Sequence, residues 1–152
     1  MNESDIFFRQ LETEKDITIL GAWDGGSISW NLDAENSDYD IRFCFTQPYS
    51  NYVALNKYED SIVTRGDKLE NLPENSANVS PDKVELHGWD LRRFAKLLLD
   101  SNPSVLEALA TNKVYQSHPV FDEVAEHCLK RANPIQLFNH YQNSANKNYK
   151  IY

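Results

Sequence analysis

From Asp38 to Phe45 the chain alternates without a break: Asp38, Asp40, Arg42 and Cys44 hold one parity, and Tyr39, Ile41, Phe43 and Phe45 hold the other. Successive side chains of a β-strand point to opposite faces, so this stretch predicts a strand with one apolar face. Its other face opens with two carboxylates, Asp38 and Asp40, projecting together. Aligned carboxylates repel one another and call for a cation, and a purely oxygen donor set selects Mg²⁺ or Mn²⁺. The bland alternative for such a pair is a solvated strand edge.

The flanking sequence predicts an α/β (α+β) chain with a mixed sheet, flanking helices and a C-terminal helical part. Ile6, Phe7, Gln10 and Leu11 recur at helical spacing within residues 4 to 15, and Ile17 to Trp23 has the apolar run of a buried strand. A brief segment from Ile28 to Leu32 and a polar turn over Asp33 to Ser37 precede the alternating strand. Pro48 to Asn51 breaks that strand, and Tyr52 to Leu55 is expected as a short helix or extended piece. Further strands are expected at Ser61 to Thr64 and Val84 to Gly88, separated by a long solvated loop over residues 66 to 82.

Asp90 is placed to cap a helix with Leu91, Phe94, Leu97 and Leu98 on one face and Arg92, Arg93 and Lys96 off it. Pro103 opens the next helix, which buries Val105, Leu106 and Leu109. Val114 and Tyr115 suggest a last edge strand, and helices follow over about 119 to 131 and 134 to 149. With 152 residues the chain is expected to form a single domain, 1–152, with an acidic sheet portion over about 1–89 and a helical portion over about 90–152.

Charge follows the same division. Residues 1–89 carry 7 basic against 17 acidic side chains, and residues 90–152 carry 8 against 6, within a net charge of −8. The acidic portion repels phosphate backbones but suits bound divalent metal. No apolar run is long enough to span a bilayer and the first residues are acidic, so the expectation is a cytoplasmic protein without a membrane partner. Cys44 and Cys128 form no CxxC, and His87, His118, His127 and His140 form no metal motif, so zinc is disfavoured. His87 shares a strand face with Glu85 and is the histidine best placed to touch substrate.

Gly26-Ser27 lies ten residues before Asp38-Tyr39-Asp40, and Glu85 enters on a later strand. Glycine allows a tight turn and close backbone approach, and the turn's N–H groups with the Ser27 hydroxyl can hold phosphate oxygens. Three acids with such a turn point to phosphoryl displacement assisted by metal ions.

The run from Gly26-Ser27 to Asn31-Leu32, followed by Ser37-Asp38-Tyr39-Asp40-Ile41-Arg42, resembles the signature of the polymerase-beta nucleotidyltransferase superfamily. Gly88-Trp89-Asp90-Leu91-Arg92-Arg93, continuing through Ser101-Asn102-Pro103, is similar to a second block of the predicted nucleotidyltransferases associated with RNA ligases. The resemblance covers about residues 20 to 150. It implies a polymerase-beta-like fold and a nucleotidyltransferase (a transferase) that moves NMP from an NTP to an acceptor hydroxyl and releases pyrophosphate. Carried over, Asp38, Asp40 and Glu85 would be the catalytic, metal-binding triad. Gly26 and Ser27 would hold the triphosphate, and Arg42, Arg92 and Arg93 would neutralise its charge. Arg42 also stands on the Asp face, where it is equally placed to be a salt-bridge partner. Departures from the family pattern are Ile28 in place of Arg, Asn31 in place of Gly, and Glu85 where Asp is more usual.

The implied acceptor is an RNA 3′ end or tRNA, with a protein or small molecule as alternatives. Relatives generally continue with more helices, so a fused or separate partner chain supplying them belongs to the expectation. The rival functions are a non-catalytic nucleotide-binding or interaction protein that keeps the fold, and hydrolysis of NTP to NMP.

Overall fold

The structure is a computed structural model and describes residues 3–26, 38–55, 59–70 and 80–149. The expected Ile28 to Leu32 segment, the Asp33 to Ser37 turn and most of the 66 to 82 loop, residues 71–79, lie outside the described residues.

Five strands form one mixed sheet in the order β3-β4-β2-β1-β5. They are β1 (Thr18–Asp24), β2 (Tyr39–Thr46), β3 (Ser61–Arg65), β4 (Val84–Asp90) and β5 (Val114–Ser117). β2 and β4 run parallel, in a register that pairs Asp40 with Glu85, Arg42 with His87 and Phe45 with Asp90. The other three pairings are antiparallel.

Alternation along the strands divides the core in two. The Tyr39 parity of β2 (Ile41, Phe43, Phe45) packs with Val84 and Leu86 of β4 against Phe7, Phe8 and Leu11 of helix α1 (Glu3–Lys15). On the opposite face, Trp23, Cys44 and Trp89 meet α3 (Leu91–Leu99), α4 (Pro103–Ala110) and α5 (Val120–Arg131) through Phe94, Val105, Leu109 and Phe121. The Phe94 ring lies 5.8 Å from Trp23, 6.4 Å from Trp89 and 5.7 Å from Phe121, so one side chain ties two strands to two helices. The Cys44 thiol is buried in this layer, and burial pushes its pKa up.

Local signals set the helix boundaries. The Asp90 carboxylate accepts from the Arg92 backbone N–H at 3.0 Å and caps α3. The Asn102 side chain caps α4, with Pro103 at its first turn. Asp90 is also wholly buried, and its second oxygen accepts the Tyr52 hydroxyl at 2.5 Å. That bond moors the short α2 (Tyr49–Val53), which begins directly after Pro48 rather than at Tyr52. The last helix, α6 (Pro134–Tyr149), is joined to the body by the Asn133 N–H donating to Ser101 Oγ and by the Tyr141 hydroxyl donating to Glu107.

Two expectations are corrected. Leu91, the first residue of α3, is exposed although it shares its spacing with the buried Phe94. The start of the expected solvated loop is also packed: Gly66–Lys68 and Pro81–Lys83 form short 3₁₀ turns, and Gly66 and Leu69 are buried. Leu69 joins the α1 core, an apolar anchor that the surrounding charges hide from periodicity.

Phe94→Ala would empty the junction of the second core layer. The expected loss is about 3–5 kcal/mol, read as a lower urea midpoint at unchanged slope.

Candidate active site

β1 ends at Asp24, and the chain leaves it through Gly25 and Gly26 across the start of β2. The Gly25 N–H donates to the Asp40 carbonyl at 2.7 Å, and a Cβ at Gly26 would stand 2.9 Å from the Asp40 Cβ. Gly26 therefore lets the backbone lie directly against the Asp40 side chain, and Gly25 lies against Arg42, whose Cγ a Cβ at position 25 would meet at 2.5 Å. Ser27 lies outside the described residues.

The parallel ladder places Asp40 beside Glu85 and Arg42 beside His87. Arg42 bridges the group: one terminal nitrogen donates to Asp40 Oδ2 at 2.6 Å and the other reaches His87 Nδ1 at 3.0 Å. A guanidinium can only donate, so Nδ1 is the acceptor and the His87 ring is neutral. The electrostatics agree, because burial and then the Arg42 charge lower the His87 pKa, against an opposing pull from Glu85. Of the two readings of Arg42, the salt bridge to Asp40 is the arrangement observed.

Asp40 is the electrostatic focus. Burial raises its pKa, the Arg42 charge works against that, and the neighbouring Glu85 and Asp24 raise it further. Its second oxygen, Oδ1, is buried and has no hydrogen-bond partner among the described residues. Leaving a buried acceptor unpaired costs about 1–3 kcal/mol, and more when the group is charged. A carboxylate oxygen left open among acids fits a hard divalent cation.

Among the sequence-predicted residues, the structure brings together Asp40, Glu85, Arg42 and Gly26. Asp38 is exposed and lies just ahead of the first paired residue of β2. Among the described residues, no three His, Cys, Asp or Glu side chains are close enough to hold one ion, so Asp38, Asp40 and Glu85 do not converge as a preformed three-ligand set.

Arg92 and Arg93 are placed elsewhere. β4 continues to Asp90, whose register partner Phe45 lies five residues along β2 from Asp40, about 16 Å at the usual strand rise. The Arg92 guanidinium lies 4.5 Å from the Tyr52 ring centroid at that far end, and Arg93 is exposed on the first turn of α3. Their position soon after Gly88-Trp89 does not bring them to Asp40, because the strand runs on to Asp90 before the helix begins.

Two residues of the neighbourhood were not among the expected site residues, although Tyr115 falls at the end of the second resembling block. Asp24 is wholly buried at the end of β1, and Tyr115 of β5 donates its hydroxyl to Asp24 Oδ2 at 2.9 Å. The available clue was an acid closing an apolar run immediately before Gly-Gly.

A mixed sheet whose acidic strand ends meet a glycine turn is the architecture of a nucleotidyltransferase of the polymerase-beta type. The chain belongs to the RNA repair pathway DNA polymerase beta family, whose model matches residues 2–152. It is also 26% identical over 145 residues to YcgL, an uncharacterised protein of Bacillus subtilis (strain 168), covering 95% of this chain and 50% of that protein. The chain thus spans about half the length of this relative. No solved structure matches it. Among the described residues, no helix is long and apolar enough to cross a membrane.

The raised pKa of Asp40 fixes the sign of a stability test. The unfolded chain releases this proton at lower pH than the folded chain, so stability falls as pH rises from the ordinary carboxylate value to the raised one and stays lower above it. Asp40→Asn removes that deficit. In chelator at pH 7 its melting temperature is expected to equal or exceed that of the parent chain. A fall of more than about 4 °C, roughly 1 kcal/mol for a chain of this size, would contradict this charge balance.

Proposed function

We propose that the protein transfers a nucleoside monophosphate from an NTP to an acceptor hydroxyl with release of pyrophosphate, using Mg²⁺ or Mn²⁺ held by Asp40 and Glu85, with Asp38 drawn in only when the ion and nucleotide bind. The observation that carries this reading is Oδ1 of Asp40, buried and unpartnered among the described residues, on a carboxylate set among acids. Divalent ions, when bound, neutralise triphosphate charge and make the acceptor hydroxyl easier to deprotonate.

The chain's own residues have separable tasks in this reaction. Gly25 and Gly26 let the backbone pass directly beside Arg42 and Asp40, with Ser27 next in sequence as a hydroxyl donor to phosphate oxygens. Arg42 already spans Asp40 and His87 and is positioned to exchange its carboxylate contact for a phosphate oxygen. Glu85 stands beside Asp40 as the carboxylate to receive the acceptor's proton. The acceptor oxygen then bonds to the α-phosphorus, the bond from that phosphorus to the bridging oxygen breaks, and pyrophosphate departs with the electron pair. Arg92 and Arg93, at the far end of β2, are assigned to the acceptor or to the protein surface rather than to the triphosphate.

An RNA 3′ end is the acceptor this reading favours, supported by the RNA repair association in the family's description. The net acidic charge suits a short end or a tRNA tip better than a long RNA track. A cytoplasmic location accompanies such an acceptor.

Incubation with each of four α-³²P NTPs, Mg²⁺ or Mn²⁺, and total RNA plus protein tests the proposal. Label is expected on RNA with the parent chain and at least 100-fold less with Asp40→Ala, about the 10²–10³ cost of removing one transition-state contact. Nucleotide that binds yet never transfers, whatever acceptor is offered, would point to the non-catalytic rival. Release of free NMP alone would point to hydrolysis.

A further inference from the structure

The Asp24 carboxylate lies wholly inside the protein, and its two oxygens are engaged in different directions. Oδ1 accepts the Gly26 N–H at 3.0 Å, which closes a turn two residues long at the end of β1. Oδ2 accepts the Tyr115 hydroxyl at 2.9 Å from the edge strand, 91 residues away in sequence. Burying a carboxylate is costly unless its oxygens are bonded, so these contacts must persist for the residue to be tolerated there.

The strand pairing is adapted to this contact. β5 pairs Gln116 with Ala22 and Val114 with Trp23, so Tyr115 is the extra residue of a β-bulge opposite two consecutive residues of β1. Bulges re-aim a side chain out of the regular alternation. Here the Lys113 carbonyl takes the Asp24 N–H at 2.9 Å, and the Tyr115 ring packs edge-on against Phe8 at 6.1 Å, which fixes both ends of the bond. Burial and the Asp24 charge push the Tyr115 pKa up, so the phenol remains a donor throughout the physiological range.

The bend that Asp24 closes is the one that lays Gly25 and Gly26 on Asp40. We propose that Asp24 and Tyr115 are positioning residues that lock the Gly25–Gly26 bend over Asp40 and so preset the backbone for a nucleotide's phosphates. This deepens the proposed nucleotidyl transfer and rests on it. β5 thereby becomes a support of the site rather than a passive edge strand.

The test combines amide hydrogen exchange with nucleotide titration on Tyr115→Phe, Asp24→Asn and the double variant, each with its melting curve. In Tyr115→Phe the Gly26 amide is expected to exchange about tenfold faster while amides of β2 and β4 keep their protection. Mg²⁺–NTP is expected to bind about tenfold more weakly, raising KM and leaving kcat within about twofold, because the pair acts on the bend and touches no reacting atom. The double variant is expected to match the single ones, since the two groups act as one unit.

Unchanged Gly26 exchange in Tyr115→Phe overturns the anchor. Faster exchange with unchanged nucleotide affinity and KM overturns the positioning role. If Asp24→Asn fails to fold, Tyr115→Phe decides alone, as it removes a single hydroxyl at an edge strand. Failure of the parent chain to bind any Mg²⁺–NTP removes the nucleotide reading instead, and the exchange of Gly26 still decides whether the pair holds the bend.

Discussion

The parallel ladder between β2 and β4 is the constraint on which the rest of the structure depends. Parallel strands cannot be joined by a tight turn. The chain between them runs through α2 and β3, and β3 then pairs antiparallel to β4 on its outer side. Once the register is set, Asp40 must face Glu85 and Arg42 must face His87, while Phe45 and Asp90 mark the opposite end. A slip of one residue would turn Asp40 into the α1 core and bring Ile41 to the acidic face. The apolar parity of β2, with Ile41, Phe43 and Phe45 almost wholly buried, makes that slip prohibitive. Core packing on one face thus holds the chemistry on the other.

The acidic end is a place where folding and function pull apart. Asp24 and Glu85 are near enough to influence the ionisation of Asp40, and Arg42 is the cation that answers them. Arg42 meets one oxygen of Asp40 and leaves the other buried and unpaired. A site built for stability would have closed that valence, and the unsatisfied oxygen marks where a ligand's charge belongs. At the other end of the strands the buried Asp90 is fully engaged by Arg92 N–H and the Tyr52 hydroxyl, the arrangement expected of a carboxylate whose task is to hold helices. The half-buried Asp40 and the buried Asp90, on one sheet, therefore have opposite roles, distinguished by whether both oxygens are used.

Much of this was legible in the sequence, for physical reasons that differ by element. The 38–45 alternation named β2 and its faces because a half-buried strand must alternate. Asp90 and Pro103 announced their helices because caps and first-turn prolines act locally. Glu85 could be set beside Asp40 by resemblance, whereas the register that makes them neighbours is a tertiary fact. Arg92 and Arg93 were expected near the triphosphate, but two more strand residues beyond Gly88 carry them to the far end of β2. The pairing of Asp24 with Tyr115 was not legible because their bond joins positions 91 apart through a bulge, and no periodicity encodes a bulge. Leu69 was hidden for a related reason: one apolar residue among charges gives no pattern, although the core selects it.

The central claim is that Asp40 Oδ1 is a cation's ligand. The most direct measurement is a crystal structure of the protein with Mn²⁺ and a non-hydrolysable NTP analogue, read by the anomalous signal of the metal. A peak in direct contact with Asp40 Oδ1 is expected, with Arg42 moved from Asp40 onto a phosphate oxygen. Metal bound away from Asp40, with the Arg42–Asp40 bridge intact and the analogue seated elsewhere, would contradict it.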